Sequence, residues 1–168
     1  MGLFPLFAEL SGEPVLVVGG GRVALRRVGK LLDCGASVTL VSPQVHPRIA
    51  GWSEEGRLVW IPRPYLEGDE ASFRLVFALT DSPEVNDRIS EGAEKGRASL
   101  ANVATRTALR RLVVPATRTG GSFVLSVACH PPDPARSRQL ADRCMKELSR
   151  EGATVGISLG TVKEKKDA

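Results

Sequence analysis

The sequence predicts an α/β fold in which a parallel sheet with helices on both faces is followed by a small β-hairpin and a helix. Apolar strand patterns alternate with helical patterns over residues 14–103, and the first strand pattern runs into three glycines. After residue 112, two strand patterns follow one another without a helix between them. Three segments are therefore predicted: a domain over residues 1–111, a hairpin and linker over 112–133, and a helical end over 134–168.

The glycine turn makes the predicted sheet Rossmann-like. The apolar pattern Val15–Val18 passes directly into glycines and then into a helical pattern. Gly19, Gly21 and Ala24 match the G-x-G-x-x-G/A spacing, in which the first glycine allows the turn and the second lets a pyrophosphate approach the backbone. The helix N-terminus would hold this anion with free N–H groups. A purely structural turn is the alternative.

The other elements of the first domain follow from periodicity and turn residues. The first helix is predicted from apolar residues at helical spacing, which are Val23, Leu25, Val28, Leu31 and Leu32. The later elements are expected to be a strand Ser37–Ser42, a short helix His46–Glu55, strands Leu58–Ile61 and Arg74–Thr80, a helix from Pro83 to Gly96, and a strand Ser99–Val103. Ser82 is the expected N-cap of the last helix. The apolar lead-in Leu3–Phe7 is expected to pack on the sheet.

The second part of the chain has too little core for independent stability. Its predicted elements are strands Leu112–Pro115 and Ser122–Ala128, a turn Arg118–Gly121 between them, a proline-rich linker from His130, and a helix from Ala135 to about Arg150 with Leu140, Cys144 and Leu148 on one face. A two-stranded hairpin is marginal by itself. We therefore expect it to pair with a second copy, which predicts a homodimer.

Ligands of parallel sheets collect at the carboxyl ends of the strands. The residues at such ends include Thr80, Asp81 and Asn102. Where an Asp or Glu commonly binds the ribose 2′-hydroxyl, the second strand ends in Ser42, Pro43 and Gln44. Selectivity against a 2′-phosphate is therefore not guaranteed by these residues, and Arg48 nearby could favour a phosphate.

Charge is distributed unevenly along the chain. Residues 1–101 hold 11 Lys and Arg against 13 Asp and Glu, whereas residues 102–168 hold 12 against 6. No acidic residue lies between Glu94 and Asp133. This window predicts a polyanionic ligand, with a solvated basic face as the alternative. Nucleic acid is not favoured, because the window contains Phe123 as its single aromatic residue and no recognition motif.

Composition indicates an ordinary soluble chain. Its 168 residues are 42% hydrophobic and 25% charged, without an apolar run long enough for a membrane span or a signal-peptide pattern. A cytoplasmic location is expected. Cys34, Cys129 and Cys144 are odd in number and far apart, which favours reduced thiols over disulfides or a metal site.

Several short motifs, in this order and spacing, resemble one family. They are Pro5-Leu-Phe, the strand and glycine turn from Val15 to Ala24, Val41-Ser-Pro, Ala78-Leu-Thr-Asp followed by Asn86, Ala101-Asn-Val, Val114-Pro, and Ser126-Val before a proline-containing linker. Over about residues 3–150 the chain resembles the precorrin-2 dehydrogenase/sirohydrochlorin ferrochelatase module of siroheme synthase. The resemblance implies a homodimer that oxidises precorrin-2 with NAD⁺ to sirohydrochlorin, and in some members inserts Fe²⁺.

The resemblance also implies roles for individual residues. The implied NAD contacts are Gly21, Arg22, Val23, Pro43 and Gln44, with Thr80 and Asn102 lining the same cleft. The expected cofactor site also includes Gly19, from the glycine spacing, and Ser42, from the end of the second strand. The expected partners of the carboxylate-rich tetrapyrrole are Arg106, Arg110, Arg111 and Arg118.

Two departures from the family pattern bear on the chemistry. Thr105 stands where the family has an aspartate that is held to serve dehydrogenation and chelation, and the chain ends at Ala168, before the family's usual longer helical part. His130 is the one alternative base, although a packed or solvated role suits it better. We therefore expect dehydrogenase activity rather than chelation. A non-catalytic dinucleotide- or tetrapyrrole-binding sensor or carrier is the alternative.

Overall fold

A computed structural model of the protein describes residues 5–95, 100–103, 112–120 and 123–150. The chain divides into two compact units, Met1–Val113 and Val114–Ala168. The boundary expected after residue 111 lies just before this division. In the described part of the chain, no helix is long and apolar enough to cross a membrane.

The first unit is a parallel sheet with helices in the crossover connections. Its elements are β1 Pro14–Val18, α1 Arg22–Asp33, β2 Ser37–Val41, α2 Pro47–Glu54, β3 Val59–Ile61, β4 Leu75–Ala78, α3 Pro83–Lys95 and β5 Leu100–Val103. The strand order is β3-β2-β1-β4-β5, and every pairing is parallel. The order reverses between β1 and β4, which is where a doubly wound sheet opens a crevice. The predicted α/β fold is confirmed.

Helices cover both faces of this sheet. Leu16 and Val18 of β1 belong to one buried cluster with Ile89 of α3. Val15 and Val17 alternate to the other face and are also fully buried or nearly so. Because both faces carry apolar side chains, the central strands read as continuous hydrophobic runs.

One expectation about apolar residues of this unit is confirmed and one is wrong. The predicted first helix is present and turns Ala24, Val28 and Leu31 toward the core, while Val23 is 45% exposed. The described end of the lead-in does not pack on the sheet, since Leu6 is 80% and Phe7 is 73% exposed. Helices already cover both faces of the sheet, and the lead-in finds no open apolar face there.

The second unit consists of a hairpin and a helix. The antiparallel strands are β6 Ala116–Gly120 and β7 Phe123–Val127, and the helix is α4 Pro134–Arg150. The hairpin was expected, but its first strand lies after Leu112–Pro115 rather than over it. Pro115 has no N–H for a ladder, whereas the β-branched Thr117 and Thr119 favour a strand. Arg118 therefore lies within a strand and not in the turn.

The expected apolar face of α4 is only partly right. Leu140 and Leu148 are half-buried, but Cys144 is exposed, whereas Ser137 and Ala141 are buried. Ser137 can lie inward because its hydroxyl donates to the Asp133 carbonyl at 2.7 Å and accepts the Cys129 N–H at 3.1 Å. A polar residue therefore occupies a buried position that an apolar pattern does not reveal.

Candidate functional site

A cleft of about 590 Å³ lies at the carboxyl ends of β1, β2 and β4. It is lined by Gly19–Arg22 after β1, Val41–His46 at the end of β2, Pro64 and Tyr65, and Leu79–Ser82 with Val85 after β4. These segments flank the point where the strand order reverses. The cleft therefore occupies the position at which such sheets bind their ligands.

The three glycines of the turn have different roles. Gly19 has a φ of +111°, and a Cβ there would collide with the Leu79 carbonyl oxygen. A Cβ on Gly20 would collide with the Gln44 carbonyl oxygen and lie 2.8 Å from Val45. Gly21 has extended backbone, and a Cβ there would meet nothing within 4 Å. Gly19 and Gly20 thus allow close packing, while Gly21 leaves open space beside the cleft.

The turn places the N-terminus of α1 at this open position. Gly21 is the N-cap of a twelve-residue helix, makes no side-chain cap and is followed by no acidic residue in the first turn. The exposed Arg22 adds a cation to the cleft wall. A helix N-terminus with open space and a nearby guanidinium suits a diphosphate, so these residues fit the expected dinucleotide. The sequence did not identify the separate role of Gly20, which depends on contacts with the β2 loop.

Hydrogen bonds fix the loop after β2. The buried Ser42 donates its hydroxyl to the Gln44 carbonyl at 2.7 Å, and Trp60 Nε1 donates to the Ser42 carbonyl at 2.9 Å. The His46 N–H donates to the Gly20 carbonyl at 2.8 Å, which ties this loop to the glycine turn. Ser42 therefore uses its hydroxyl within the loop, while Gln44 lies exposed in the cleft.

A fully buried amide fixes the loop after β4. Asn86 of α3 accepts hydrogen bonds from the Thr80 N–H at 3.1 Å and the Thr80 hydroxyl at 2.8 Å, and donates to the Thr80 carbonyl at 2.9 Å. Ser82 caps α3 as expected, with its hydroxyl accepting the Val85 N–H at 3.2 Å. Thr80 is thus held at the cleft by a residue that sequence analysis noted only as part of a motif. An Asn among apolar helix positions was the available signal.

The loop Arg63–Glu70 supplies another wall of the cleft. Tyr65 donates its hydroxyl to the buried Glu70 carboxylate at 2.7 Å. Burial first, and this hydrogen bond second, raise the pKa of Tyr65. The Glu70 carboxylate packs so closely on α3 that a Cβ at Gly92 would collide with it. Glu70 therefore joins the loop to the helix that holds Thr80.

The same loop contains a bidentate ion pair. Arg63 donates from Nη1 and Nη2 to the two Asp69 oxygens at 2.8 and 2.7 Å. The hydrogen bond from Arg63 holds the pKa of Asp69 below its ordinary value, and the Leu66 N–H also donates to this carboxylate. The loop is thereby closed on itself.

This pair predicts a pH dependence of stability. The pKa of Asp69 is lower in the folded protein than in the unfolded chain. Its contribution to stability is therefore present above about pH 4 and is lost as the pH falls through the pKa of the folded protein. The difference in unfolding free energy between the wild type and Asp69→Asn should narrow as pH falls from 6 to 2.5. Urea unfolding across that range measures it. Glu55→Gln is the matched control, since the 3.6 Å pair of Glu55 with Arg57 is solvent-exposed. A difference between wild type and Asp69→Asn that stays constant with pH would contradict the prediction.

The other expected site residues are not among those that line the cleft, or they lie outside the described residues. Asn102 is placed by its backbone at the end of β5, opposite Phe77 of β4. The exposed Val23 is not among the residues that line the cleft. Thr105, Arg106, Arg110 and Arg111 lie outside the described residues.

Two expected residues belong to the second unit. Arg118 donates from Nε to Asp142 at 2.7 Å, and this hydrogen bond raises the pKa of Arg118. His130 is exposed. Among the described residues, no group of three or more His, Cys, Asp and Glu could hold a metal ion.

Comparisons with known proteins agree with this geometry. The model of an NAD(P)-binding family, NAD_binding_7, matches residues 6–116. The chain belongs to this family. It is also 35% identical over 143 residues to siroheme synthase of Chromobacterium violaceum, an alignment that covers 85% of this chain and 30% of that protein. Siroheme synthase 1 of Aeromonas hydrophila subsp. hydrophila is 30% identical over 165 residues, or 98% of this chain and 35% of the relative.

One solved structure is similar to this chain in fold as well as in sequence. The precorrin-2 dehydrogenase SirC superimposes with a TM-score of 0.72 at 27% identity, over 89% of this chain and 71% of SirC. The resemblance to the siroheme synthase module is confirmed. The chain spans about a third of the length of the curated siroheme synthases that it matches.

Proposed function

We propose that the protein oxidises precorrin-2 to sirohydrochlorin in siroheme biosynthesis, with NAD⁺ as the oxidant. The observation that carries the proposal is the open Gly21 position at the N-terminus of α1, within a cleft at the reversal of strand order. Family membership supports a nicotinamide dinucleotide there. The likeness to a precorrin-2 dehydrogenase supports the substrate.

Different parts of the cleft suit the diphosphate, the adenosine ribose and the adenine of the dinucleotide. Gly21 and Arg22 would hold the diphosphate, and Gln44 at the end of β2 would face the adenosine ribose. The apolar lining beside the Tyr65 ring suits the adenine and includes Val41, Val45, Leu79 and Val85. When bound, NAD⁺ supplies the hydride acceptor. The chain supplies position, because holding two reactants in register replaces a bimolecular encounter.

The basic window after Glu94 would bind the substrate carboxylates. Arg106, Arg110, Arg111 and Arg118 remain the proposed cations. Arg118 would have to leave Asp142, and that pair is open to solvent because the Asp142 side chain is 63% exposed. Exposed ion pairs hold their partners weakly, so the exchange of one carboxylate for another is feasible.

The test is to mix the purified protein with precorrin-2 and NAD⁺ and to follow NADH and sirohydrochlorin. Formation of both in equal amounts supports the proposal. Binding of both compounds without NADH favours the non-catalytic sensor or carrier instead. Fe²⁺ or Co²⁺ insertion into sirohydrochlorin is measured in parallel and is expected to be weak, because Thr105 offers no carboxylate to accept the pyrrole protons.

The hairpin predicts a homodimer. Phe123 is 40% and Val124 is 50% exposed on β7, in a sheet that has two strands within the described residues. We expect a dimer in sedimentation at micromolar concentration and a monomer for Val124→Glu. Leu66→Glu is the matched control, since Leu66 is 58% exposed in the first unit and its replacement should leave the dimer intact. A monomeric wild type would contradict this prediction.

A further inference from the structure

Arg27 of α1 carries a charge that the described part of the chain does not neutralise. The residue is half-buried, and its Nε is buried without a hydrogen-bond partner. It forms no ion pair with any of the described residues. Burial first, and the charge of the neighbouring Arg26 second, lower the pKa of Arg27. A desolvated guanidinium without a partner costs stability, which an anion from outside the chain would offset.

The guanidinium lies over the end of a central strand. Its carbon is 5.0 Å from the centre of the Phe77 ring. Phe77 is the penultimate residue of β4 and is in register with Asn102 of β5. Because side chains alternate along a strand, Phe77 points away from Val76 and Ala78, which pack with α3. Arg27 is therefore on the α1 face of the sheet, close to the carboxyl end of β4.

This place belongs to the half of the sheet that suits the reacting end of the dinucleotide. In dinucleotide folds, the two nucleotide halves bind on either side of the reversal of strand order. The proposed ribose contact, Gln44, follows β2, whereas β4 and β5 lie on the other side of β1. The nicotinamide and the substrate that reacts with it are therefore expected on the side of β4, where Arg27 lies.

The other charges of α1 also favour an anionic ligand. The helix carries four cations, Arg22, Arg26, Arg27 and Lys30, and one acidic residue, Asp33 at its end. A cation in the first turn opposes the helix dipole, and like charges four residues apart repel each other. This arrangement lowers the stability of the helix by itself. Local arrangements that cost stability are typical of binding sites, and a polyanion beside the helix would offset the cost.

We propose that Arg27 binds a carboxylate of the tetrapyrrole substrate. The inference rests on the precorrin-2 dehydrogenase activity proposed above, and it adds a substrate contact in the first unit to the arginines of the basic window. A guanidinium can bind a carboxylate through two parallel hydrogen bonds, and a half-buried one does so with less competition from water. Contact with the Phe77 ring holds the side chain over the sheet beforehand, which lowers the entropic cost of binding.

Variants of Arg27 separate binding from a packing role. Arg27→Met keeps an unbranched side chain over Phe77 but removes the charge and the buried Nε. In a binding role, its loss should leave the melting temperature of the free protein unchanged or higher, because a buried group without a partner is gone. Arg27→Lys keeps the charge without the planar fork and should recover part of the binding. Arg26→Gln is the matched control, since Arg26 is adjacent on the same helix but exposed.

The experiment measures tetrapyrrole and cofactor binding separately on the purified full chain. Sirohydrochlorin is titrated by absorbance, NAD⁺ by calorimetry, and KM for precorrin-2 is taken from NADH formation. Arg27→Met should weaken sirohydrochlorin binding and raise this KM at least about tenfold, with NAD⁺ affinity unchanged. The loss should persist at high salt, because half-buried charges are screened less than exposed ones. Arg26→Gln should have an effect of less than about twofold that disappears at high salt.

Three results would overturn the inference while leaving the proposed function in place. They are an effect of Arg27→Met on the tetrapyrroles below about tenfold, an equal loss of NAD⁺ affinity, and a lower melting temperature of the free variant, which would indicate packing on Phe77. A wild type that neither binds sirohydrochlorin nor oxidises precorrin-2 would overturn the inference and the proposed function together.

Discussion

Replacing Gly21 with aspartate is expected to abolish dinucleotide binding while leaving the fold intact. The backbone at Gly21 is extended, so any residue can adopt it, and a Cβ there would meet no atom within 4 Å. The new carboxylate would occupy the space beside the α1 N-terminus and repel the diphosphate. It would also cap the helix, which favours folding. We expect the NAD⁺ affinity to fall at least about 100-fold, which corresponds to about 3 kcal/mol.

Neighbouring glycines supply the controls for this experiment. Gly51→Ala on α2 meets open space and should change neither binding nor stability by much. Gly20→Ala should destabilise the protein, because its Cβ would collide with backbone atoms of Gln44 and Val45. Calorimetry with NAD⁺ and thermal unfolding separate the two effects. Gly21→Asp with an affinity within about tenfold of the wild type would remove the diphosphate assignment.

Asn86→Leu is expected to destabilise the protein and also to weaken NAD⁺ binding in the cleft. Leucine has the same number of side-chain heavy atoms in a similar branched shape, but it leaves the Thr80 N–H and carbonyl without their partner. Each buried polar group without a partner costs about 1–3 kcal/mol, so a loss of about 3 kcal/mol in unfolding free energy is expected. Because Thr80 lines the cleft, its displacement should also lower NAD⁺ affinity about tenfold or more.

Two variants on the same face of α3 show whether the hydrogen bonds are responsible. Asn86→Asp keeps the acceptors but places a carboxylate oxygen against the Thr80 carbonyl, so it should also destabilise the protein. Ile89→Val removes one methylene from the buried cluster that α3 forms with β1. It should lower the unfolding free energy by about 1 kcal/mol without changing NAD⁺ affinity. Urea unfolding and calorimetry provide both readouts. An affinity loss for Ile89→Val equal to that of Asn86→Leu would show that packing alone sets the position of Thr80.

The parallel sheet was predictable because its signal is local. Val15–Val18 is apolar on both faces, and Ser82 and Pro83 mark a helix start by their own chemistry. The roles of Gly20 and Asn86 were not predictable in this way. They depend on contacts with Gln44 and Thr80, which only the folded chain brings close.

The second unit shows a different limit of sequence patterns. Leu112–Pro115 is more apolar than Ala116–Gly120, yet the latter forms the strand. Pairing with β7 decides the register, and hydrophobicity along one segment contains no information about its partner. The same holds for α4, where hydrogen bonds with Asp133 and Cys129 turn Ser137 inward while Cys144 faces solvent.

The position of α3 has a thermodynamic consequence for the cleft. This helix holds Thr80 through Asn86, contacts the Glu70 carboxylate at Gly92, and lines the cleft itself with Val85. Ligand binding and the ordering of α3 are therefore linked equilibria, and each must favour the other by the same free energy. A bound dinucleotide should protect the amides of this helix from hydrogen exchange along its length, including turns that lie well beyond the ligand.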